Sequence, residues 1–171
     1  MERRSIEAIV RALNEVQTRY LIVGGLAVVA HGLVRFTADI DLVLDPDASA
    51  LRRAIEALAG LGYRPRAPVE FTEFADAETR ARWTREKGLT VFSTFSGEHR
   101  ATELDLFVES PFDFETAYAK AVRFDVAPGV EATFVGLGDL LEMKRRAGRP
   151  QDISDVAGLE SLHTPPETGR E

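Results

Sequence analysis

The sequence predicts a single domain of the α/β (α+β) class, a twisted mixed β-sheet with packed helices. Three observations support this. Short apolar, β-branched runs alternate with segments whose apolar residues recur at helical spacing. The length, 171 residues, is that of one domain. No internal repeat, low-complexity stretch or linker divides the chain.

Ile6, Ile9, Val10 and Leu13 share one helical face behind a cap at Ser5, so a helix is expected over about 5–17. Tyr20 to Val23 is a short apolar run stopped by Gly24-Gly25, the pattern of a buried strand. Leu26 to Ala30 then begins a buried helix ending near Gly32. Ile40, Leu42 and Leu44 alternate with Asp41, Val43 and Asp45, a strand broken by Pro46. Leu51, Ala54, Ile55 and Leu58 form a second helical face closed by Gly60 and Gly62. Pro65 and Pro68 mark a loop. Residues 70–87 read as a partly exposed helix interspersed with Phe71, Phe74 and Trp83. Leu89 to Phe95 and Thr102 to Val108 read as two strands turning at Ser96-Gly97-Glu98. A short helix over Phe114 to Val122 and a strand over Ala132 to Val135 follow. Two closing helices, Gly138 to Arg146 and Asp152 to Leu162, are divided by Gly148 and Pro150. The domain is expected over 1–162, with 163–171 a tail that has nothing to pack against.

Composition narrows the function classes. There is no cysteine, which excludes disulfide frameworks, thiol catalysis and cysteine-ligated zinc. The net charge of −7 disfavours a protein that coats long nucleic acids and leaves a small local site open. No apolar run approaches the ~20 residues that span a bilayer. MERRSIEAIV does not read as a secretory signal, so the cytoplasm is the expected location and no membrane partner is expected.

The chemistry-bearing residues cluster in three places. Gly24 and Gly25, between a strand and a helix, fit either close backbone approach to a phosphate or a tight turn. In RFTADIDLVLD, Asp39 and Asp41 are two apart on a strand and project to one face. Two adjacent carboxylates suit a hard divalent cation. The alternative is that one caps the strand and the other meets water. In ELDLFVES, Asp105 lies opposite Leu104, Leu106 and Val108 in facing. If that strand lies near the first, Asp105 becomes a third ligand in a two-metal site for phosphoryl or nucleotidyl transfer. Glu103 and Glu109 share its face; Asp105 is preferred because it sits inside the apolar run.

The string LIVGGLAVVAHGLVRFTADIDLVL resembles the core of the DNA polymerase beta-like nucleotidyltransferase superfamily. Within it, the pattern is similar to minimal nucleotidyltransferases and abortive-infection type toxin nucleotidyltransferases. The points of likeness are the Gly-Gly turn, then Arg35, Thr37, Asp39 and Asp41, and a closing element with Lys144, Arg149, Asp152 and Asp155. The likeness runs over roughly residues 20–160. It implies a nucleotidyltransferase-type sheet and Mg²⁺- or Mn²⁺-dependent transfer of a nucleoside monophosphate from an NTP such as ATP to an acceptor hydroxyl. The acceptor class stays open among protein, tRNA or other RNA, and small molecule. It also implies that Gly24, Gly25, Arg35, Thr37 and Lys144 serve the nucleotide, and that Asp39, Asp41 and Asp105 carry the metals and catalysis. A toxin–antitoxin setting would add an antitoxin partner; toxins of this kind carry a further helical domain that this sequence does not show. The competing reading is a catalytically silent member that binds nucleotide or a partner protein.

The remaining candidates divide between function and structure. Lys144, Arg145, Arg146 and Arg149 are the densest basic cluster, either a phosphate contact through Lys144 or a solvated helix end. Asp152 and Asp155, one turn apart, read as a cap and an ion pair with Arg149. Arg80, Arg82, Arg85 and Lys87 form an exposed helix face or an acceptor surface. His31, His99 and His163 lack metal-ligand spacing, and His31 reads as a hydrogen-bonded, partly buried histidine. Trp83 reads as core or interface.

Overall fold

The computed structural model describes residues 1–164. In chain order the elements are α1 (Arg3–Glu15), β1 (Tyr20–Val23), α2 (Gly24–Ala30), β2 (Asp39–Leu44), α3 (Ala48–Gly60) and β3 (Tyr63–Pro65). A 3₁₀ turn (Phe71–Ala75), α4 (Ala77–Lys87), β4 (Val91–Ser96), β5 (Glu103–Phe107) and α5 (Phe114–Ala119) follow. The chain then forms β6 (Val122–Ala127), β7 (Val130–Phe134), α6 (Leu137–Ala147) and α7 (Pro150–His163). The seven strands make one mixed sheet in the order β3-β4-β5-β2-β1-β7-β6. The β1–β2 pair is antiparallel, whereas β2–β5 and β1–β7 are parallel. The predicted class, a mixed sheet with packed helices, is the observed one.

Period-two alternation sorts the central strands into two faces. Ile40, Leu42, Leu104 and Leu106 are buried in the core. On that side Phe92 of β4 stacks on Trp83 at 5.2 Å and meets Phe74 at 5.3 Å, so Trp83 belongs to the core. The other face carries Asp39, Asp41 and Asp105, and the register sets Asp41 directly opposite Asp105.

Several local expectations are corrected. Phe114 to Val122 is not one helix: α5 stops at Ala119, and Val122–Ala127 is an edge strand hairpinned to β7. Tyr63–Pro65 is a short edge strand rather than loop, an edge being where a sheet tolerates proline. Residues 70–87 divide at Asp76, whose carboxylate accepts from the Thr79 N–H and caps α4. The glycine pair is the first turn of α2 rather than a turn ahead of Leu26. The closing helices start earlier, at Leu137 and Pro150. His163, placed in the tail by the sequence, ends α7 with its Nε2 2.9 Å from the His31 carbonyl. The rest of that tail, 165–171, lies outside the described residues.

Candidate active site

A cleft of about 570 Å³ opens on the carboxylate face. The sheet forms its floor through Asp39, Asp41, Asp105, Ser93, Val91 and Phe107; α6 and the start of α7 form a wall with Met143, Lys144, Arg149 and Gln151. Gly24, Gly25 and Arg35 border it. Asp39, Asp41 and Asp105 each offer an oxygen within 4.8 Å of the others, a spacing that suits shared hard cations. Glu103 instead pairs with Arg66, and Glu109 does not line the cleft.

The acids are crowded at a cost. Burial, then the charges of Asp39 and Asp105, push the Asp41 carboxyl up from its ordinary 3.8 to about 6. Burial also raises Asp105, with the Ser93 hydroxyl working against it and Asp39 adding to it. Asp105 Oδ1 is buried and has no hydrogen-bond partner among the described residues. A buried carboxylate oxygen left unpaired is costly, so a cation at this point would satisfy it. The all-oxygen donor set fits Mg²⁺ or Mn²⁺, which would be held by these three aspartates.

Gly24 has φ +62°, and a Cβ there would fall 1.8 Å from Asp41 Oδ2. Glycine at this position therefore makes room for the carboxylate itself, besides tolerating the left-handed backbone. A Cβ on Gly25 would meet Thr37 Oγ1 at 2.5 Å. The Thr37 hydroxyl lies 3.2 Å from Asp39 Oδ1, so Thr37 supports an acid from beneath the glycine turn.

The cationic wall is built around two acids that read in the sequence as a cap and an ion pair with Arg149. Lys144 Nζ lies 2.8 Å from Asp152 Oδ1 and 2.9 Å from Asp155 Oδ2, with all three side chains buried. Asp155 also accepts from Arg35 Nη1 at 2.6 Å, and Asp152 from Arg149 Nε at 2.7 Å. Arg35, Asp155, Lys144, Asp152 and Arg149 thus form a chain of alternating charge that ties the loop before β2 to α6 and α7. Burial works to raise both acids. The hydrogen bonds of Arg149 and Lys144 to Asp152, and of Gln151 and Lys144 to Asp155, prevail and hold them below the usual range. Asp152 does pair with Arg149 and cap α7, as the sequence suggests; its hold on Lys144 is the added finding. The signal was the spacing of the two acids one turn apart, beyond a Lys-Arg-Arg run.

Other candidates fall elsewhere. No residue of α4 lines the cleft, and Arg80 donates to the Phe74 carbonyl at 2.6 Å. His31 Nε2 lies 2.8 Å from the Val135 carbonyl, outside the cleft lining. No helix among the described residues is long and apolar enough to cross a membrane.

No family model and no curated protein sequence matches the chain. Solved structures do. An antigenic nucleotidyltransferase-like protein from Paracoccidioides brasiliensis superposes with TM-score 0.62 at 17% identity, over 95% of this chain and 77% of that one. A lincosamide antibiotic adenylyltransferase in its lincomycin-bound form gives 0.56 at 16%, over 87% and 90%. ANT(2'')-Ia in complex with adenylyl-2''-tobramycin gives 0.55 at 14%, over 95% and 89%. At these identities the likeness is one of fold, shared with nucleotidyltransferase structures.

Proposed function

We propose that this chain is a cytoplasmic, metal-dependent nucleotidyltransferase that moves a nucleoside monophosphate from an NTP to an acceptor hydroxyl. The observation that carries the reading is the convergence of Asp39, Asp41 and Asp105 around an unpaired buried oxygen, under a glycine whose missing Cβ makes room for one of them. The fold shared with nucleotidyltransferase structures supports it.

In this reading Lys144, Arg149 and Arg35 face the triphosphate, already aimed by Asp152 and Asp155 and so needing little reorganisation. Gly24 and Gly25 border the place of the triphosphate, and the space their missing Cβ atoms leave is taken by Asp41 and Thr37. Thr37 steadies Asp39. A bound Mg²⁺ or Mn²⁺ supplies charge neutralisation at the transferring phosphoryl group. Asp105, directly opposite Asp41 on the cleft floor, takes the acceptor's proton as the new P–O bond forms and the bond to pyrophosphate breaks.

The test is transfer of label from NTPs, including ATP, to components of a cell lysate in Mg²⁺ or Mn²⁺. Label that is lost in Asp39→Asn supports the proposal. Label that persists in the Asp39→Asn, Asp41→Asn double variant refutes the site. NTP binding without any transfer favours the silent binder. The toxin reading rests on the sequence resemblance alone and has its own test. Growth arrest on induced expression, relieved by Asp39→Asn, supports a toxin with an antitoxin partner, and unimpaired growth refutes it.

A further inference from the structure

The cleft has two unlike ends. At one the lining stops at Ser93; beyond it on the same strand Phe95 is 44% exposed beneath the guanidinium of Arg66, itself paired with Glu103. That end is polar and open to solvent. At the other end Val91 and Phe107, opposite each other on β4 and β5, lie in the same cleft as Pro111, Leu140 and Met143. The guanidinium of Arg146 ties this end to α6, donating to the Pro111 carbonyl at 3.1 Å and pairing with Glu142. The result is an apolar bay beside Asp39, Asp41 and Asp105.

We infer that this bay takes the base of the nucleotide, and that it takes all four bases about equally. The inference rests on the nucleotidyl-transfer reading above. Its first half follows from placement. Met143 immediately precedes Lys144 on α6, so phosphates held by Lys144 leave the rest of the nucleotide to run along the same helix into the bay. The acceptor, which must arrive and depart as a separate molecule, is left the open end beyond Ser93.

The second half follows from what the bay lacks. A base is distinguished by the donors and acceptors on its edge, while its faces are apolar in every case. Val91, Phe107, Leu140 and Met143 carry no side-chain nitrogen or oxygen, and Arg146, the polar side chain lining this end, directs its guanidinium to the Pro111 carbonyl and to Glu142. Pro111 has no N–H, and its carbonyl already accepts from Arg146. A slot of this kind separates ligands by size and stacking, by about 10- to 200-fold at most. A slot that hydrogen-bonds its ligand rejects the wrong one by about 10⁴-fold or more. Phe107 then acts as a stacking surface and is the residue on which base affinity depends.

The experiment is calorimetric titration of the full chain in Mg²⁺ with the non-cleavable α,β-methylene analogues of ATP, GTP, CTP and UTP, and with inorganic tripolyphosphate. Wild type should bind all four within about tenfold of one another and each more tightly than tripolyphosphate. Phe107→Leu, which keeps the apolar volume and removes the ring, should weaken all four alike, by roughly 5- to 150-fold. It should leave tripolyphosphate unchanged. A preference of more than about tenfold for one base overturns base tolerance, and unaltered nucleotide affinity in Phe107→Leu overturns the bay assignment. If neither tripolyphosphate nor any analogue binds, the nucleotidyl-transfer reading fails and this inference fails with it. A matching loss of tripolyphosphate affinity in Phe107→Leu would trace the effect to the fold and also overturn the assignment.

Discussion

Replacing Asp41 by asparagine should make the metal-free protein more stable, and by an amount that depends on pH. The carboxyl is lifted from 3.8 to about 6 by burial and then by Asp39 and Asp105. At 1.36 kcal/mol per pKa unit, that rise disfavours ionisation in the folded state by about 3 kcal/mol once the pH is well above 6. The sign follows from linkage. The folded protein binds the Asp41 proton more tightly than the unfolded chain does, so this group lowers stability progressively from about pH 4 to above pH 6. Below pH 4 it is protonated in both states and has no effect. Asparagine keeps the shape and removes the charge, so the gain should be about 1–3 kcal/mol at pH 7.5 and vanish near pH 4. For a chain of this length that is roughly 2–12 °C in Tm. The assay is thermal unfolding of wild type and Asp41→Asn in chelator from pH 4 to 8, repeated in Mg²⁺ with NTP. With ligand the order should reverse, because binding stabilises the competent site by about 4.1 kcal/mol at a thousandfold excess over Kd. An asparagine variant less stable than wild type in chelator at pH 7.5 would refute the reasoning and make Asp41 a structural cap.

Gly24→Ala places a Cβ 1.8 Å from Asp41 Oδ2 at a positive φ. It should lower the Tm in chelator by the equivalent of about 1–2 kcal/mol or more, and abolish the Mg²⁺-dependent shift in the same melts. Asp155→Ala removes a buried partner from both Lys144 and Arg35 and should cost about 3–5 kcal/mol in urea unfolding. Glu160→Ala, which breaks the exposed pair with Arg145, should cost less than about 1 kcal/mol. Asp152 and Asp155 are held below the usual range, so their contribution is present above about pH 4 and lost as the pH falls through their folded values. The acid limb of the Tm profile should therefore flatten in the Asp152→Asn, Asp155→Asn variant.

The carboxylate trio was legible because strand alternation is a local rule. Asp39, Asp41 and the leucines around Asp105 announce their facing within a few residues. That Gly24 makes room for Asp41 was not legible, since it depends on the β1–β2 register, which sets Val23 opposite Asp41. The partners of Asp155 were hidden for the same reason: Arg35 lies 120 positions away and meets it only once α7 has docked. Strand β6 escaped because VRFDVA exposes Arg123, Phe124 and Asp125, so it lacks the one-sided apolar pattern of a buried strand. The helical spacing of Phe114 and Tyr118 also carried the expected helix too far. Strand β3 is three residues long and ends in proline, below what alternation can reveal.

The pairing of β2 with β5 has a consequence for how the protein could fail. The strands are parallel, and Asp41 faces Asp105 only in one alignment. A slip of one residue along β5 would turn Asp105 into the core and bring Leu104 and Leu106 out to the water. A chain misaligned at this seam would lose an acid from the trio and expose two leucines in the same event. Aggregation-prone molecules and molecules without the complete trio would then be one population. On the metal-dependent reading proposed above, removing material that fails to bind Mg²⁺ would also remove the material most apt to clump.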